Sequence, residues 1–217
     1  MIDGPRLKPA SGAPAKSLVI LLHGYGADGH DLIDIGRHWA EVLPDTAFVS
    51  PHAPEPCAEA PGGRQWFGLT MRDEAELWRG VTKAAPTLDA FLEEEIKRYA
   101  LVPEKVALCG FSQGTMMALY VGPRRSRPIA GIVGYSGVLA GPDRLKAEAK
   151  SKPPVLLVHG AEDPLIPAGA ILQAAQGLGA ASIDVEWHVR PDLQHGIDGE
   201  GLNLGAGFLR RVLNARP

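Results

Sequence analysis

The sequence has few cysteines and no excess of charge of either sign. Cys57 and Cys109 are the two cysteines among 217 residues, and two cysteines do not make the disulfide framework of a small secreted protein. Lys and Arg together number 22 against 25 Asp and Glu, which gives a formal net charge of -3. That balance provides no general electrostatic attraction for nucleic acid, so we expect no nucleic-acid partner.

Long apolar runs are also missing from the sequence. The segment Met1–Leu7 lacks the apolar core of a signal peptide, and no stretch approaches the roughly 18 apolar residues of a membrane-spanning helix. The sequence therefore predicts a soluble, cytoplasmic protein without a membrane span.

Motifs that bind metals or nucleotides are absent as well. The sequence has no glycine-rich phosphate loop and no His/Cys spacing typical of a zinc site, so we expect no metal and no other cofactor. One basic cluster, Arg124-Arg125-Ser126-Arg127, lies between two prolines. We expect this cluster to be a solvated loop rather than a binding patch.

What the sequence does contain is an alternation of short apolar runs with longer amphipathic stretches. Such alternation is typical of a mostly parallel sheet with helices on both faces, because strands covered on both sides are apolar along their whole length. The chain length fits one domain, and we predict a single α/β domain over residues 1–217. The predicted strands are Leu18–Leu22, Thr46–Ser50, Val106–Cys109, Ile129–Tyr135, Val155–Val158 and Ile183–Val189.

Helices are predicted between the strands from apolar residues at helical spacing. The predicted helices are His30–Leu43, Pro86–Leu101, Ser112–Val121, Pro167–Leu178 and Leu202–Leu213. The second of these could begin earlier and bend at its proline. Residues 51–80 do not fit the alternation, and so long a loop in a compact domain is usually functional.

The strongest local motif is Gly110-Phe111-Ser112-Gln113-Gly114, which follows an apolar strand and precedes a predicted helix. This is the context of the G-x-S-x-G nucleophile elbow, in which a sharp turn exposes the serine hydroxyl. Both outer glycines are needed because side chains there would collide in so tight a turn. We predict Ser112 as a nucleophile; the alternative is an incidental serine in a glycine-rich turn.

A serine hydroxyl needs a base to accept its proton, and the sequence has seven histidines. His195 follows the last predicted strand, where the chain order Ser…acid…His of an α/β-hydrolase fold places the base. The other histidines fit less well, since His188 lies inside a strand and His159 ends one. His30, His38 and His52 precede the serine, on the wrong side for that order.

The acid that orients the base is expected on a loop between the serine and the histidine. Asp163 and Glu162 directly follow the strand Val155–Val158 and compete for this role. We favour Asp163, because the prolines after it fix its backbone on the way into a helix. More distant rivals are Asp184, Asp192 and Asp198.

Two backbone N–H groups are expected to form an oxyanion hole. One belongs to Gln113, the residue after the nucleophile, and the second should come from the loop after an early strand. Tyr25 is the best candidate there, because Gly24 and Gly26 allow the backbone to approach a substrate closely. The neighbouring His23 is expected to brace this loop by hydrogen bonds rather than to take part in catalysis.

Five segments, in order along nearly the whole chain, resemble the phospholipase/carboxylesterase family of small α/β-hydrolases related to acyl-protein thioesterases. These segments are Leu22-His23-Gly24-Tyr25-Gly26-Ala27-Asp28, Gln65-Trp66-Phe67, Gly110-Phe111-Ser112-Gln113-Gly114, His159-Gly160-Ala161-Glu162-Asp163-Pro164-Leu165-Ile166-Pro167 and His195-Gly196.

The resemblance implies metal-free hydrolysis of carboxylic esters or thioesters through an acyl-enzyme intermediate. It assigns the triad to Ser112, Asp163 and His195 and the oxyanion donors to Tyr25 and Gln113. Dimers occur in the family, so a homodimer is plausible. One departure is Thr115, at a position where the family often has a smaller residue, and it is expected to alter packing behind the elbow.

Three functions remain open at this point. The leading one is a carboxylesterase for small or medium acyl chains, and the second is a lysophospholipase or acyl-protein thioesterase. The third is a non-catalytic binding member of the fold, since one fold hosts many functions. Within residues 51–80, Trp66, Phe67 and Leu69 are predicted to line the acyl pocket; the alternative is that the two aromatic residues pin a long loop to the core.

Overall fold

The computed structural model describes residues 2–70 and 73–214. The central feature is a seven-stranded sheet in the order β1-β3-β2-β6-β7-β8-β9, parallel except for β1 at one edge. A separate antiparallel hairpin consists of β4 and β5. In chain order the strands are β1 Arg6–Leu7, β2 Ser17–Leu22, β3 Thr46–Val49, β4 Glu55–Pro56, β5 Arg64–Gln65, β6 Val106–Phe111, β7 Gly131–Tyr135, β8 Val155–Gly160 and β9 Val185–Arg190.

Six α-helices accompany the sheet in the described part of the chain. They are α1 Gly29–Trp39, α2 Glu74–Arg98, α3 Gln113–Arg124, α4 Pro142–Glu148, α5 Gly169–Ala180 and α6 Gly199–Asn214, with a short 3₁₀ turn at Pro103–Lys105. No helix of the described ranges is long and apolar enough to cross a membrane.

Strand residues alternate between two apolar cores, one on each face of the sheet. In β2, Leu18, Ile20 and Leu22 pack with residues of α2, α3 and α5, whereas Val19 and Leu21 pack with residues of α1 and α6. All five side chains are fully buried. Helices therefore cover both faces, and the predicted fold class, an α/β-hydrolase with a mostly parallel sheet, is confirmed.

One difference from the sequence-based expectations lies in the region after β3. Residues 74–80, expected within the long loop, form the first turns of α2, which Asp73 caps by accepting a hydrogen bond from the N–H of Ala75. Pro86 lies inside this helix. The loop after β3 is therefore shorter than predicted and ends before residue 74.

The basic cluster was expected to be a solvated loop, and this prediction is wrong for its first two arginines. Arg124 is the last residue of α3. The side chain of Arg125 is only 6% exposed and forms ion pairs with Asp89 and Glu93 of α2. These arginines contribute to packing between α2 and α3. The two flanking prolines did not indicate such a role.

Candidate active site

Ser112 lies in the sharp turn between β6 and α3, with a backbone φ of 52° and ψ of −115°. This strained conformation is rare for a residue with a side chain, and the N–H of Ser112 is anchored to the carbonyl of Tyr135 at 2.9 Å. A Cβ at Gly114 would lie 1.9 Å from the carbonyl oxygen of Leu22, and one at Gly110 would lie 2.4 Å from backbone atoms of α3. The turn thus needs glycine at both positions, as expected for a nucleophile elbow.

Thr115, the departure from the family pattern, lies behind this turn and is 1% exposed. Its Oγ1 lies 2.8 Å from the carbonyl oxygens of both Gly110 and Tyr135, to which the hydroxyl donates. A Cβ at Gly134 or Gly137 would lie 2.7 or 2.3 Å from the Thr115 side chain. The larger side chain is therefore accommodated by glycines on β7 and just after it.

His195 and Asp163 form a hydrogen-bonded pair at the same end of the sheet. The distance from His195 Nδ1 to Asp163 Oδ2 is 2.7 Å. Because an ionised carboxylate only accepts hydrogen bonds, Nδ1 carries the proton and Nε2 is left to accept one. The His195 ring lies 5.0 Å from the ring of Phe111, the residue before Ser112. Within the described residues, no direct hydrogen bond joins Ser112 to His195.

Asp163 is held by its own loop as well as by His195. Burial of its side chain acts to raise the pKa, but hydrogen bonds from the Ile166 N–H, His195 and the Leu165 N–H outweigh that effect and lower it. Both backbone N–H groups donate to Oδ1 at 2.9 Å. His159, at the end of β8, also holds this loop, since its Nε2 donates to the Ile166 carbonyl at 2.8 Å. The carboxylate is therefore ionised and fixed in direction.

The rival acids occupy other environments. Glu162, Asp184 and Asp192 are exposed. Asp198 pairs with Arg190 at 2.9 Å and accepts a hydrogen bond in the first turn of α6. Among the residues that the structure describes, no group of three or more His, Cys, Asp or Glu side chains could hold a metal ion.

The loop after β2 lies directly against the elbow. A Cβ at Gly24 would lie 3.4 Å from Ser112 Cβ and 3.2 Å from the Phe111 ring. Neither the Tyr25 N–H nor the Gln113 N–H has an acceptor within the described part of the chain. Unpaired donors beside a strained serine are what an oxyanion hole requires.

The side chain of Tyr25 interacts with Cys57. A hydrogen bond with the Cys57 side chain, together with burial, raises the pKa of Tyr25 to about 12. The phenol therefore stays neutral. Both Cys57 and Cys109 are buried free thiols.

His23 braces the loop after β2, as the sequence suggested. Its Nδ1 donates to the Gly24 carbonyl at 2.8 Å, and its Nε2 accepts from the Ala53 N–H at 3.0 Å. Burial lowers the pKa of His23. The neutral tautomer is also the form that satisfies both hydrogen bonds, because Nε2 must stay unprotonated to accept.

The predicted acyl-pocket residues have unequal exposure. Trp66 and Phe67 are 1% and 2% exposed and belong to a buried core cluster, whereas Leu69 is half-buried at the margin of that cluster. Gln113 Oε1 accepts from the Trp66 N–H at 2.9 Å, and Gln113 Nε2 donates to the Phe67 carbonyl at 2.8 Å. Burial favours the alternative that the two aromatic residues pin the loop, and leaves Leu69 as the better lining candidate.

An open groove with a volume of about 610 Å³ is lined by residues of α2, α4, α5 and the segment after β7. Its apolar lining includes Leu77, Trp78, Val138, Leu139, Ala170 and Ala174. Val138 follows Gly137, where a Cβ would lie 3.0 Å from the Ser112 carbonyl oxygen. The lining residue Val138 is therefore the next residue after Gly137, which packs against the elbow. The sequence analysis did not predict this groove.

Comparison with known proteins identifies the family of this chain. Residues 9–213 match the phospholipase/carboxylesterase family. The chain is 30% identical to esterase YpfH of Escherichia coli over 92% of this chain and 84% of that protein, and 31% identical to acyl-protein thioesterase 1 of Gibberella zeae over 90% of each. The crystal structure of esterase PE8 superimposes with a TM-score of 0.94, at 43% identity over 98% of this chain and 99% of that one. The chain therefore belongs to the phospholipase/carboxylesterase family, as its motifs predict.

Proposed function

We propose that this carboxylesterase cleaves its substrates with Ser112 as nucleophile, His195 as base and Asp163 as the acid that orients the base. The observation that carries the assignment is the 2.7 Å hydrogen bond between His195 Nδ1 and Asp163 Oδ2, which leaves Nε2 free to accept a proton beside a strained serine. This arrangement of roles is that of a Ser-His-Asp triad.

The reaction proceeds by two acyl transfers. Ser112 Oγ forms a bond to the substrate carbonyl carbon as the carbonyl π bond breaks, and the serine proton passes to His195 Nε2. The resulting oxyanion accepts hydrogen bonds from the N–H groups of Tyr25 and Gln113. Collapse breaks the bond to the leaving group, which takes the proton from His195. Water then repeats the same steps on the acyl-enzyme and releases the acid.

The groove lined by Val138 and Leu139 is the proposed site of the acyl chain, with Leu69 as a further lining residue. Val138 and Leu139 directly follow Gly137, which packs against the Ser112 carbonyl, and such apolar side chains suit alkyl chains of small or medium length. A relative named as an acyl-protein thioesterase makes thioesters the second candidate substrate class. The cytoplasmic location and the homodimer stay predictions from the sequence.

Substitution of the nucleophile tests the proposed function. Ser112→Ala should lower kcat for p-nitrophenyl butyrate by about 10⁴-fold or more, because the acyl-enzyme cannot form. Ser136 is a matched control: it is a buried serine with φ of 45° just after the neighbouring strand β7. Ser136→Ala should keep kcat within about threefold, since the Ser136 hydroxyl donates to the Gly196 carbonyl at 3.4 Å and takes no part in transition-state stabilisation. A Ser112→Ala enzyme with near-normal kcat and an unchanged circular dichroism spectrum contradicts the assignment.

A bulky side chain in the groove tests the acyl site. Val138→Phe should lower kcat/KM for octanoate and decanoate esters much more than for acetate, because each methylene excluded from an apolar pocket is worth about 1–3 kcal/mol. Val102→Phe, at an exposed valine distant in the chain, is the control and should leave the chain-length profile unchanged. A Val138→Phe enzyme that loses activity equally on all esters means that the acyl chain lies elsewhere.

A further inference from the structure

The two proposed oxyanion donors lie on separate parts of the chain. The Tyr25 N–H belongs to the loop after β2, whereas the Gln113 N–H belongs to the first turn of α3. Donors stabilise an oxyanion only when both lie about 2.7–3.1 Å from its position. The distance between these two segments therefore decides how much the pair contributes.

Trp66 contacts both segments through different atoms. Its indole N–H donates to the carbonyl of His23, at 3.1 Å, two residues before Tyr25. Its backbone N–H donates to Gln113 Oε1 at 2.9 Å. Because Trp66 is 1% exposed, water does not compete for either hydrogen bond, and bonds in such surroundings are strong and directional.

The hairpin next to Trp66 reinforces the connection. The Gly26 N–H donates to the Arg64 carbonyl at 2.9 Å, and the Arg64 N–H donates to the Ala27 carbonyl at 2.7 Å. On the other side, Gln113 Nε2 returns to the carbonyl of Phe67. Residues 64–67 thus hydrogen-bond to the loop after β2 at one end and to the elbow at the other.

We infer that Trp66 is a positioning residue for the oxyanion hole, fixing the spacing between the N–H groups of Tyr25 and Gln113. The inference rests on the proposed function, since it needs those two groups to bind the oxyanion. In this role Trp66 contacts neither the substrate nor the reacting atoms. Its loss should weaken binding of the tetrahedral state more than binding of the intact substrate.

The test removes the indole N–H and keeps an aromatic ring. Trp66→Phe does so with a smaller ring, and 3-benzothienylalanine at position 66 does so with the original shape, because sulfur replaces the N–H. Both enzymes should lose about 10- to 100-fold in kcat/KM for p-nitrophenyl butyrate, because a misplaced group costs up to about 100-fold, less than the roughly 10²–10³-fold of an oxyanion donor that is missing altogether. Where the smaller ring prevents folding, the sulfur analogue decides the result.

Two ketone inhibitors separate positioning from general damage. Ser112 adds to the carbonyl of an alkyl trifluoromethyl ketone. The bond from Oγ to the carbonyl carbon forms as the π bond breaks, the carbonyl oxygen becomes an oxyanion, and the serine proton moves to His195. The matching methyl ketone binds largely without this addition. Loss of the indole N–H should weaken binding of the trifluoromethyl ketone by the same factor by which it lowers kcat/KM. Binding of the methyl ketone should stay within about twofold of the wild-type value, because only the trifluoromethyl ketone adduct carries the oxyanion.

Trp39→Phe is the matched control. The Trp39 indole N–H also donates to a backbone carbonyl, that of Leu202, at 2.9 Å, and the side chain is fully buried. This variant should lower the melting temperature about as much as Trp66→Phe but keep kcat/KM within about twofold, since it leaves the oxyanion donors in place.

Two results overturn the inference. One is an unchanged kcat/KM when both Trp66 replacements fold, and the other is an equal loss of affinity for the two ketones, which indicates a merely structural tryptophan. Failure of the proposed function looks different, because Ser112→Ala then keeps its activity whatever happens at position 66.

Discussion

At the residue scale, two adjacent carboxylates in the loop after β8 have opposite environments. Asp163 is buried, accepts two backbone hydrogen bonds and contacts His195, whereas Glu162 is exposed. Asp163→Asn should therefore lower kcat by about 10⁴-fold, because the amide favours the wrong imidazole tautomer. Glu162→Gln should leave kcat within about twofold, since it alters only a solvated charge. The reverse pattern in steady-state kinetics assigns the acid to Glu162.

The lowered pKa of Asp163 also predicts a pH dependence of stability. Because the pKa of Asp163 is lowered in the folded state, ionisation of this carboxylate stabilises the fold above the ordinary Asp pKa of about 4. The contribution is lost as the pH falls through the lower folded-state pKa. Below about pH 4, the melting temperature of the wild type should thus fall relative to that of Asp163→Asn. A pH-independent difference contradicts the lowered pKa.

Residue-level roles were predictable where a local motif or chain order determines them. The backbone of Ser112 follows from its two flanking glycines, and the position of His195 follows from the order of strands. The side-chain role of Gln113 was not predictable, because its partners Trp66 and Phe67 lie 47 and 46 residues away. Only the return of the loop to the elbow brings those groups together.

At the element scale, the short strand β1 is tied to α2 by a buried ion pair. The Glu95 carboxylate is 1% exposed and accepts hydrogen bonds from Arg6 at 2.7 and 3.2 Å. Arg6→Met should destabilise the protein by about 3 kcal/mol, because the carboxylate loses its main partner while still buried. The neighbouring Arg98 compensates in part, since it also contacts Glu95 at 2.9 Å. Chemical denaturation measures the change, and kcat should stay near the wild-type value.

A surface ion pair provides the control for this prediction. Lys16 and Asp45 pair at 2.6 Å, but the lysine side chain is 73% exposed. Lys16→Met should change stability by less than about 1 kcal/mol, as exposed pairs contribute little. Equal effects of Arg6→Met and Lys16→Met mean that burial of Glu95 does not govern the pair.

The elements themselves were predictable in proportion to their apolar content. The interior strands of the sheet are continuous apolar runs, and each lies within about two residues of its predicted position. The strand β1, the hairpin β4–β5 and the helix α4 were missed, because two-residue strands and a seven-residue helix carry no periodicity. The leading prediction placed the start of α2 too late because Pro86 is typical of a helix beginning, and the alternative of an earlier start agrees with the structure.

At the scale of the whole molecule, the parallel sheet brings three segments that are distant in sequence to the carboxyl end of its strands. β6, β8 and β9 end at the same side of the parallel sheet, so the residues after them, which include Ser112, Asp163 and His195, meet there. Ligand sites of open parallel sheets lie at the carboxyl ends of the strands. The predicted family and the ester-hydrolase class are confirmed, whereas the single domain over 1–217 and the homodimer stay predictions.

Covalent labelling of the nucleophile tests the central claim most directly. The wild-type protein, treated with a fluorophosphonate, should gain one adduct by intact-protein mass spectrometry, and peptide mapping should place that adduct on Ser112. Ser112→Ala should gain none, while Ser136→Ala should label like the wild type. An adduct on another residue, or a wild-type protein that does not react, would contradict the account of this site.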